Sequence, residues 1–239
     1  MSTDFKLSRR EALWLATLTA AGATLAGFAS TSAPQAAPPQ EATVTNADQA
    51  LKRLKEGNQR WVAGAMTRPS QTADRRAEVA KGQQPFAIVF GCVDSRVPPE
   101  LVFDRGLGDL LVVRTAGHAI DNAALGSVEF GVEELGIPLV MVLGHQKCGA
   151  VAATIEAVEK GAKPHGQIGA LVAAIKPAVE KVKGEPGDLL DNAVRANVAL
   201  TVGKLRRSKL LAEFLAKGKV KIVGARYDLG TGAVEITVS

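Results

Sequence analysis

Two short peptides hold most of the residues able to do chemistry: Gly91-Cys92-Val93-Asp94-Ser95-Arg96 and His145-Gln146-Lys147-Cys148-Gly149. Thiolate sulfur and imidazole nitrogen are good zinc donors, and a tetrahedral ion with three protein ligands keeps its fourth position for water or a reactant. Cys92, His145 and Cys148 are therefore candidate metal ligands. The His-x-x-Cys spacing brings two of the donors round one turn, as the start of a helix allows. Asp94, two residues beyond Cys92, is a candidate in two roles: fourth ligand, or catalytic acceptor of a proton from the reacting water. Arg96 is the group that could hold Asp94 ionised in a charge-assisted pair. Bland readings stand beside these. The two cysteines could form one disulfide or be two buried thiols, although a disulfide leaves His145 and the Cys-x-Asp-x-Arg run without a role. Asp94 and Arg96 could be a surface ion pair of little worth.

Such a site needs elements that deliver both peptides to one place. Residues 86–90, 110–113 and 139–143 are short continuous apolar runs, the mark of strands buried on both faces. Between the last two runs, residues 121–135 are apolar at Leu125, Val128, Val132 and Leu135, with Asp121 as N-cap and Gly136 as stop. Strand, helix, strand at this spacing predicts an α/β fold, with a central, mostly parallel sheet flanked by helices. In such sheets functional groups collect outside the carboxyl ends of the strands. Cys92 falls just past the first run, and His145 and Cys148 just past the third, so all three donors are expected at one edge. Upstream, Ala50, Leu51, Leu54, Asn58 and Trp61 recur at helical spacing, and a second helical run spans residues 71–80. After Cys148 the chain reads as helical for about sixty residues, broken by Pro164, Pro177 and Pro186. Residues 219–223 and 234–238 then form an antiparallel edge hairpin across Gly230-Thr231-Gly232. Glu100 and Asp104 are expected at a solvated helix start after Pro98-Pro99. Arg195 is open to pairing with buried acids or to fixing a helix at a subunit contact, and His118 is open to a structural role or to proton relay.

The chain has 239 residues, 46% of them hydrophobic, with 29 basic and 24 acidic side chains. That is enough apolar material for one catalytic domain. The formal charge of +5 is spread along the sequence, and aromatic residues make up only 4%, so no nucleic-acid partner is expected. Lys6, Arg9 and Arg10 precede an uncharged stretch, residues 12–29, and a Pro/Ala-rich segment follows. The order is that of an export signal over residues 1–33, a linker over 34–46 and the catalytic domain over 47–239. Ser8-Arg9-Arg10 with this diluted apolar stretch resembles a twin-arginine signal, read by export machinery. The expected location is periplasmic; the alternative is an uncleaved membrane anchor.

C-x-D-S-R followed by H-x-x-C-G, with R-T-A-G between them, resembles the β-class carbonic anhydrases. The resemblance covers roughly residues 47–238. It implies one zinc per chain on Cys92, His145 and Cys148, with Asp94 and Arg96 as the catalytic acid and arginine of the first motif. It also implies reversible hydration of carbon dioxide to bicarbonate, and a homodimer or higher homo-oligomer. Gln83 matches a family glutamine that contacts substrate. Two thiolates cancel much of zinc's charge, so the ion needs a helper, and Asp94 is placed to be it. Hydrolysis of carbonyl sulfide or carbon disulfide on the same site is the alternative activity, and a closed, non-catalytic zinc protein is the second. Arg114-Thr115-Ala116-Gly117-His118 departs from the family's usual R-N-A-G-N, which puts the hydrogen bonding beside the site in question.

Overall fold

The computed structural model describes residues 43–162 and 164–239, so the expected signal and nearly all of the linker lie outside the described residues. Helix α1 (Ala47–Val62) begins where the Asn46 side chain accepts from Gln49 N–H, which satisfies one of the four free donors of a helix start. Its inward stripe is Ala50, Leu54, Gly57 and Asn58. Helix α2 (Ala73–Val79) follows, capped by Thr72. Five strands come next in the chain, interleaved with helices: β1 (Ala87–Cys92), α3 (Pro99–Val102), β2 (Leu110–Thr115), α4 (Asn122–Glu133), β3 (Leu139–His145), α5 (Gly149–Lys160), α6 (Ile168–Val182), α7 (Leu189–Arg206), α8 (Lys209–Ala216), β4 (Lys221–Tyr227) and β5 (Val234–Val238).

The sheet order is β2-β1-β3-β4-β5. The first four strands are mutually parallel and β5 runs antiparallel to β4, as the sequence predicts. Side chains alternate across the sheet. Val89, Met141 and Val223 face a core with Leu54 and Phe103. Ile88, Phe90, Val140, Val142 and Ile222 face Val128, Val198 and Val202 on the other side. Each such fully buried side chain contributes about 1.5–3 kcal/mol, which is why these runs hold as strands although they carry little alternation in sequence.

Several features differ from the expectation, among them β2, which extends to Thr115, and β4, which spans Lys221–Tyr227 where the sequence predicts residues 219–223. Strands β1 and β3 do not stop at Phe90 and Leu143; they run through Gly91 and Gly144, so Cys92 and His145 are the last strand residues. At Gly144 the glycine is a packing requirement, because a Cβ there would stand 2.5 Å from Val198 Cγ2 on α7. Pro177 does not break a helix but lies inside α6. The buried flank of Ile175, Ala178 and Val179 outweighs the backbone hydrogen bond a proline removes. Asp104 is not on a solvated helix start: it is fully buried. Its Oδ2 accepts from Arg60 Nε at 2.6 Å and from Thr67 N and Oγ1 at 3.0 Å, and its Oδ1 from Arg68 N at 2.8 Å. Burial pushes its pKa up, but Arg60 and these donors prevail and hold it below the ordinary carboxylate value.

Candidate metal centre

Because β1 and β3 are adjacent and parallel, their carboxyl ends coincide, and Cys92 and His145 emerge side by side. The backbone then turns into α5, whose N-cap is Cys148. The two sulfurs and the ring nitrogen of these three buried residues lie within 4.8 Å of one another. Cys92 Sγ and Cys148 Sγ are 4.0 Å apart. Two thiolates about 2.3 Å from one tetrahedral zinc stand about 3.8 Å apart, whereas a disulfide needs about 2.05 Å. Both cysteines are free.

His145 supplies the decisive detail. Its Nδ1 is 2.9 Å from the carbonyl oxygen of Gln146, and an N–H donated there leaves the lone pair on Nε2. That Nε2 is buried with no hydrogen-bond partner among the described residues, an arrangement that costs free energy unless a cation takes the lone pair. The residues present fit zinc.

The sulfurs are prepared for negative charge. Gly117 N–H donates to Cys92 Sγ at 3.2 Å. The Cys148 thiol as donor, followed by His145 and the backbone N–H groups of Gly117 and Asp94, pulls the Cys92 pKa well down against the effect of burial. The Cys148 pKa is correspondingly raised, by its bond to Cys92 and by burial, although the Ala150 and Val151 N–H groups at the start of α5 oppose this.

Asp94 lies beside this group, not within it. Its Oδ2 is 3.8 Å from His145 Nε2, and the carboxylate is engaged by Arg96: Nη2 to Oδ2 at 2.7 Å, Nε to Oδ1 at 2.9 Å, and the Arg96 backbone N–H to Oδ1 at 3.0 Å. The Arg96 side-chain bond, against some desolvation, holds the Asp94 carboxyl far below the usual carboxylate range. Asp94 is thus placed as a carboxylate paired with Arg96. Gln83 is not brought to the group. It is exposed on the connection from α2 into β1, at the amino end of a strand about 20 Å long whose carboxyl end carries Cys92, so contact with the site would have to come from another copy of the chain.

Several supporting residues were not singled out by sequence reasoning. Arg114 donates from Nε to the Cys92 carbonyl at 2.7 Å and from Nη2 to the Asp94 carbonyl at 2.6 Å, clamping the loop between ligand and acid. Asn197 of α7 donates to Gly117 O at 2.8 Å. Arg114 opens the R-T-A-G motif of the resemblance, but no spacing within the sequence pairs either residue with Cys92. His118 is buried, and burial pushes its pKa down to about 4, so it is neutral at pH 7 and closed to solvent, a structural position and not a relay.

A parallel-sheet scaffold with Cys/His/Cys donors grouped at its carboxyl edge defines a metal-dependent α/β enzyme site. The family model described as carbonic anhydrase matches residues 87–234. A protein called carbonic anhydrase 2 from Mycobacterium tuberculosis is 47% identical over 189 residues, covering 79% of this chain and 91% of that one. Among solved structures, a Coccomyxa β-carbonic anhydrase in complex with acetazolamide superposes with a TM-score of 0.61 at 27% identity, covering 78% of this chain and 85% of that one. One described as a tetrameric β-carbonic anhydrase, from Sordaria macrospora, gives 0.63 at 21% identity over 67% of this chain and 84% of that one. The chain belongs to the β-class carbonic anhydrases, zinc-dependent lyases whose reaction is the hydration of carbon dioxide.

Proposed function

We propose that this chain binds one zinc ion through Cys92, His145 and Cys148 and hydrates carbon dioxide reversibly, with Asp94 and Arg96 acting on the reacting water. The observation that carries the reading is the buried, unpartnered His145 Nε2 beside two sulfurs at zinc-bridging separation. Zinc bound there supplies Lewis acidity that brings the ionisation of water towards neutral pH. The protein's own groups do the rest. Asp94, ionised at any physiological pH, offers Oδ2 as a hydrogen-bond acceptor next to the metal position and aims the attacking oxygen at carbon dioxide. Arg96 holds that carboxylate away from the fourth metal position, and Arg114 fixes the loop from behind. The test is zinc content with stopped-flow carbon dioxide hydration on the purified protein. One zinc with rapid hydration supports the reading; a zinc-loaded protein that hydrolyses carbonyl sulfide or carbon disulfide but does not hydrate carbon dioxide overturns it.

The homo-oligomer and the export route belong to the same proposal. Among the described residues, strand β2 is an outer strand, paired on one side only, to β1. The groove beside it, about 640 Å³, is lined by Leu111, Val113, Ala123 and Phe130, and Phe130 is 53% exposed. An apolar, unpaired edge of this kind invites a second copy. Light scattering should give a dimer or a multiple of it, and Phe130→Asp should reduce the mass. For export, residues 1–33 act as a receptor-read signal and carry the folded, zinc-loaded domain to the periplasm, which protects the thiols from oxidation on arrival.

A further inference from the structure

Between β2 and α4 the chain makes a tight turn, residues 116–118, in which two consecutive residues occupy the left-handed region: Gly117 at φ 60° and His118 at φ 42°. A left-handed conformation is costly for any residue with a side chain, so the surroundings must enforce it. Three contacts do so. Thr115 Oγ1 donates across the turn to Ala119 O at 2.6 Å. Thr201 Oγ1 lies 3.3 Å from His118 Nδ1. Asn197 Nδ2 donates to Gly117 O at 2.8 Å and reaches His118 Nδ1 at 3.4 Å. Asn197 and Thr201 are one turn apart on α7, and both are buried. Position 117 has no room for a side chain, because a Cβ on Gly117 would stand 2.7 Å from Ile175 Cδ1.

The consequence of this turn is the direction of one N–H. The peptide on the amino side of Gly117 presents its donor to Cys92 Sγ at 3.2 Å, while the peptide on the carboxyl side is held by Asn197. Gly117 therefore spans a metal-ligand sulfur and a helix on the flank of the sheet. A hydrogen bond to a thiolate withdraws charge from the sulfur, weakens its donation to a bound cation and leaves that cation more acidic. In a site where two thiolates would otherwise cancel most of zinc's charge, that withdrawal works in the direction catalysis needs.

We propose that Asn197 is a positioning residue of the metal centre: by fixing the Gly117 carbonyl it keeps the Gly117 N–H on the Cys92 sulfur, and so sets how strongly that sulfur donates to the metal. The proposal rests on Cys92 being a metal ligand. Arg114 holds the loop on the far side of Cys92 through carbonyls; Asn197 acts on the sulfur itself, through one intervening residue, Gly117.

The experiment substitutes cobalt for zinc in the full chain and reads the sulfur-to-cobalt charge-transfer band in the near ultraviolet, together with turnover of the zinc form. In Asn197→Ala, or in Asn197→Ser where the alanine chain does not fold, the band moves to longer wavelength and kcat falls about tenfold, with one metal still bound per chain. Asn58→Ala is the matched control. Asn58 is another buried asparagine, bridging α1 to Val102 O and Gly232 O on the opposite face of the sheet; its loss lowers the melting temperature and leaves the band in place. An Asn197 variant with lowered stability but the parent's band position and turnover overturns the proposal, and so does an equal band shift in Asn58→Ala. Absence of any thiolate band in the unsubstituted protein refutes the ligand assignment instead, which keeps the two failures distinct.

Discussion

Replacing Arg96 separates charge from position at the acid beside the metal. Asp94 receives three hydrogen bonds from Arg96, two from the guanidinium and one from the backbone N–H. Arg96→Ala removes only the guanidinium pair. Oδ1 keeps its backbone donor at 3.0 Å, whereas Oδ2, the oxygen 3.8 Å from His145 Nε2, loses the Nη2 bond at 2.7 Å that holds it in place. The Asp94 carboxyl then rises towards its ordinary pKa near 4, which still leaves it ionised at pH 7. Any loss at neutral pH is therefore positional: the freed Oδ2 is able to serve as a fourth donor and close the site. Supporting groups of this kind are worth about 10- to 100-fold in activity, and the upper end is expected here because the freed oxygen is the one nearest the ligands. Arg96→Lys keeps a positive charge but not the two-pronged geometry, so it should recover only part of the loss. Both variants should retain one zinc. Since the Arg96 side chain is 54% exposed, both should melt within about 3 °C of the parent. Stopped-flow hydration at pH 7 to 9 with parallel zinc analysis reads all of this. Turnover within twofold of the parent in zinc-loaded Arg96→Ala would refute the reasoning and reduce the pair to surface decoration.

Cys148→Ser should lose both zinc and hydration activity, because one of three protein donors is gone and a hydroxyl is a poor substitute for thiolate; full zinc occupancy in that variant would overturn the ligand set. Asp104→Ala should destabilise the domain by about 3–5 kcal/mol in denaturant titrations, since it leaves Arg60 and two backbone donors without their buried acceptor. His118 has a folded pKa lowered from 6.5 to about 4 by burial. Below pH 6.5 the unfolded chain therefore takes up the proton first, and stability falls as pH drops from 6.5 towards 4. At pH 4.5 that costs about 2–3 kcal/mol relative to pH 7, a loss that His118→Asn should not show. Replacing Arg9 and Arg10 by lysine should strand zinc-loaded protein in the cytoplasm, and continued appearance in the periplasm would point to another route or to simple anchoring.

The fold was legible where burial and sequence speak the same language. Runs such as 139–143 lie between two strands and are packed by helices on both faces, so their continuity of apolar residues is itself the signal, and the cap at Asp121 marks its helix because the side chain must accept from Ala124 N–H. The metal donors were legible for a chemical reason: few residue types bind zinc, and two peptides at strand ends must converge if the strands are parallel neighbours. Legibility failed where a residue's environment is set by chain far away in sequence. Asp104 reads as solvated because nothing local shows that Arg60 and the backbone at Thr67 and Arg68 close over it. The third apolar run reads as ending at Leu143 because Val198, which forbids a side chain at Gly144, is 54 residues downstream.

The same limit explains the supporting groups of the metal centre. Cys92 is held by its own strand, by Arg114 through two carbonyls, and by Asn197 through Gly117, so the ligand's geometry depends on β2, on the turn after it and on α7 at once. Each support is an ordinary hydrogen bond to backbone, which any polar side chain at the right place could make, so residue type alone does not announce it. The donors are restricted by chemistry and can be read from types and order. Their supports are restricted only by position, and position is a property of the folded sheet. Where this chain replaces the usual asparagines of the turn by Thr115 and His118, the turn survives because Thr115 closes it from within and Asn197 and Thr201 hold it from α7. What the turn must preserve is therefore the direction of the Gly117 N–H, and the residues that enforce that direction are free to differ.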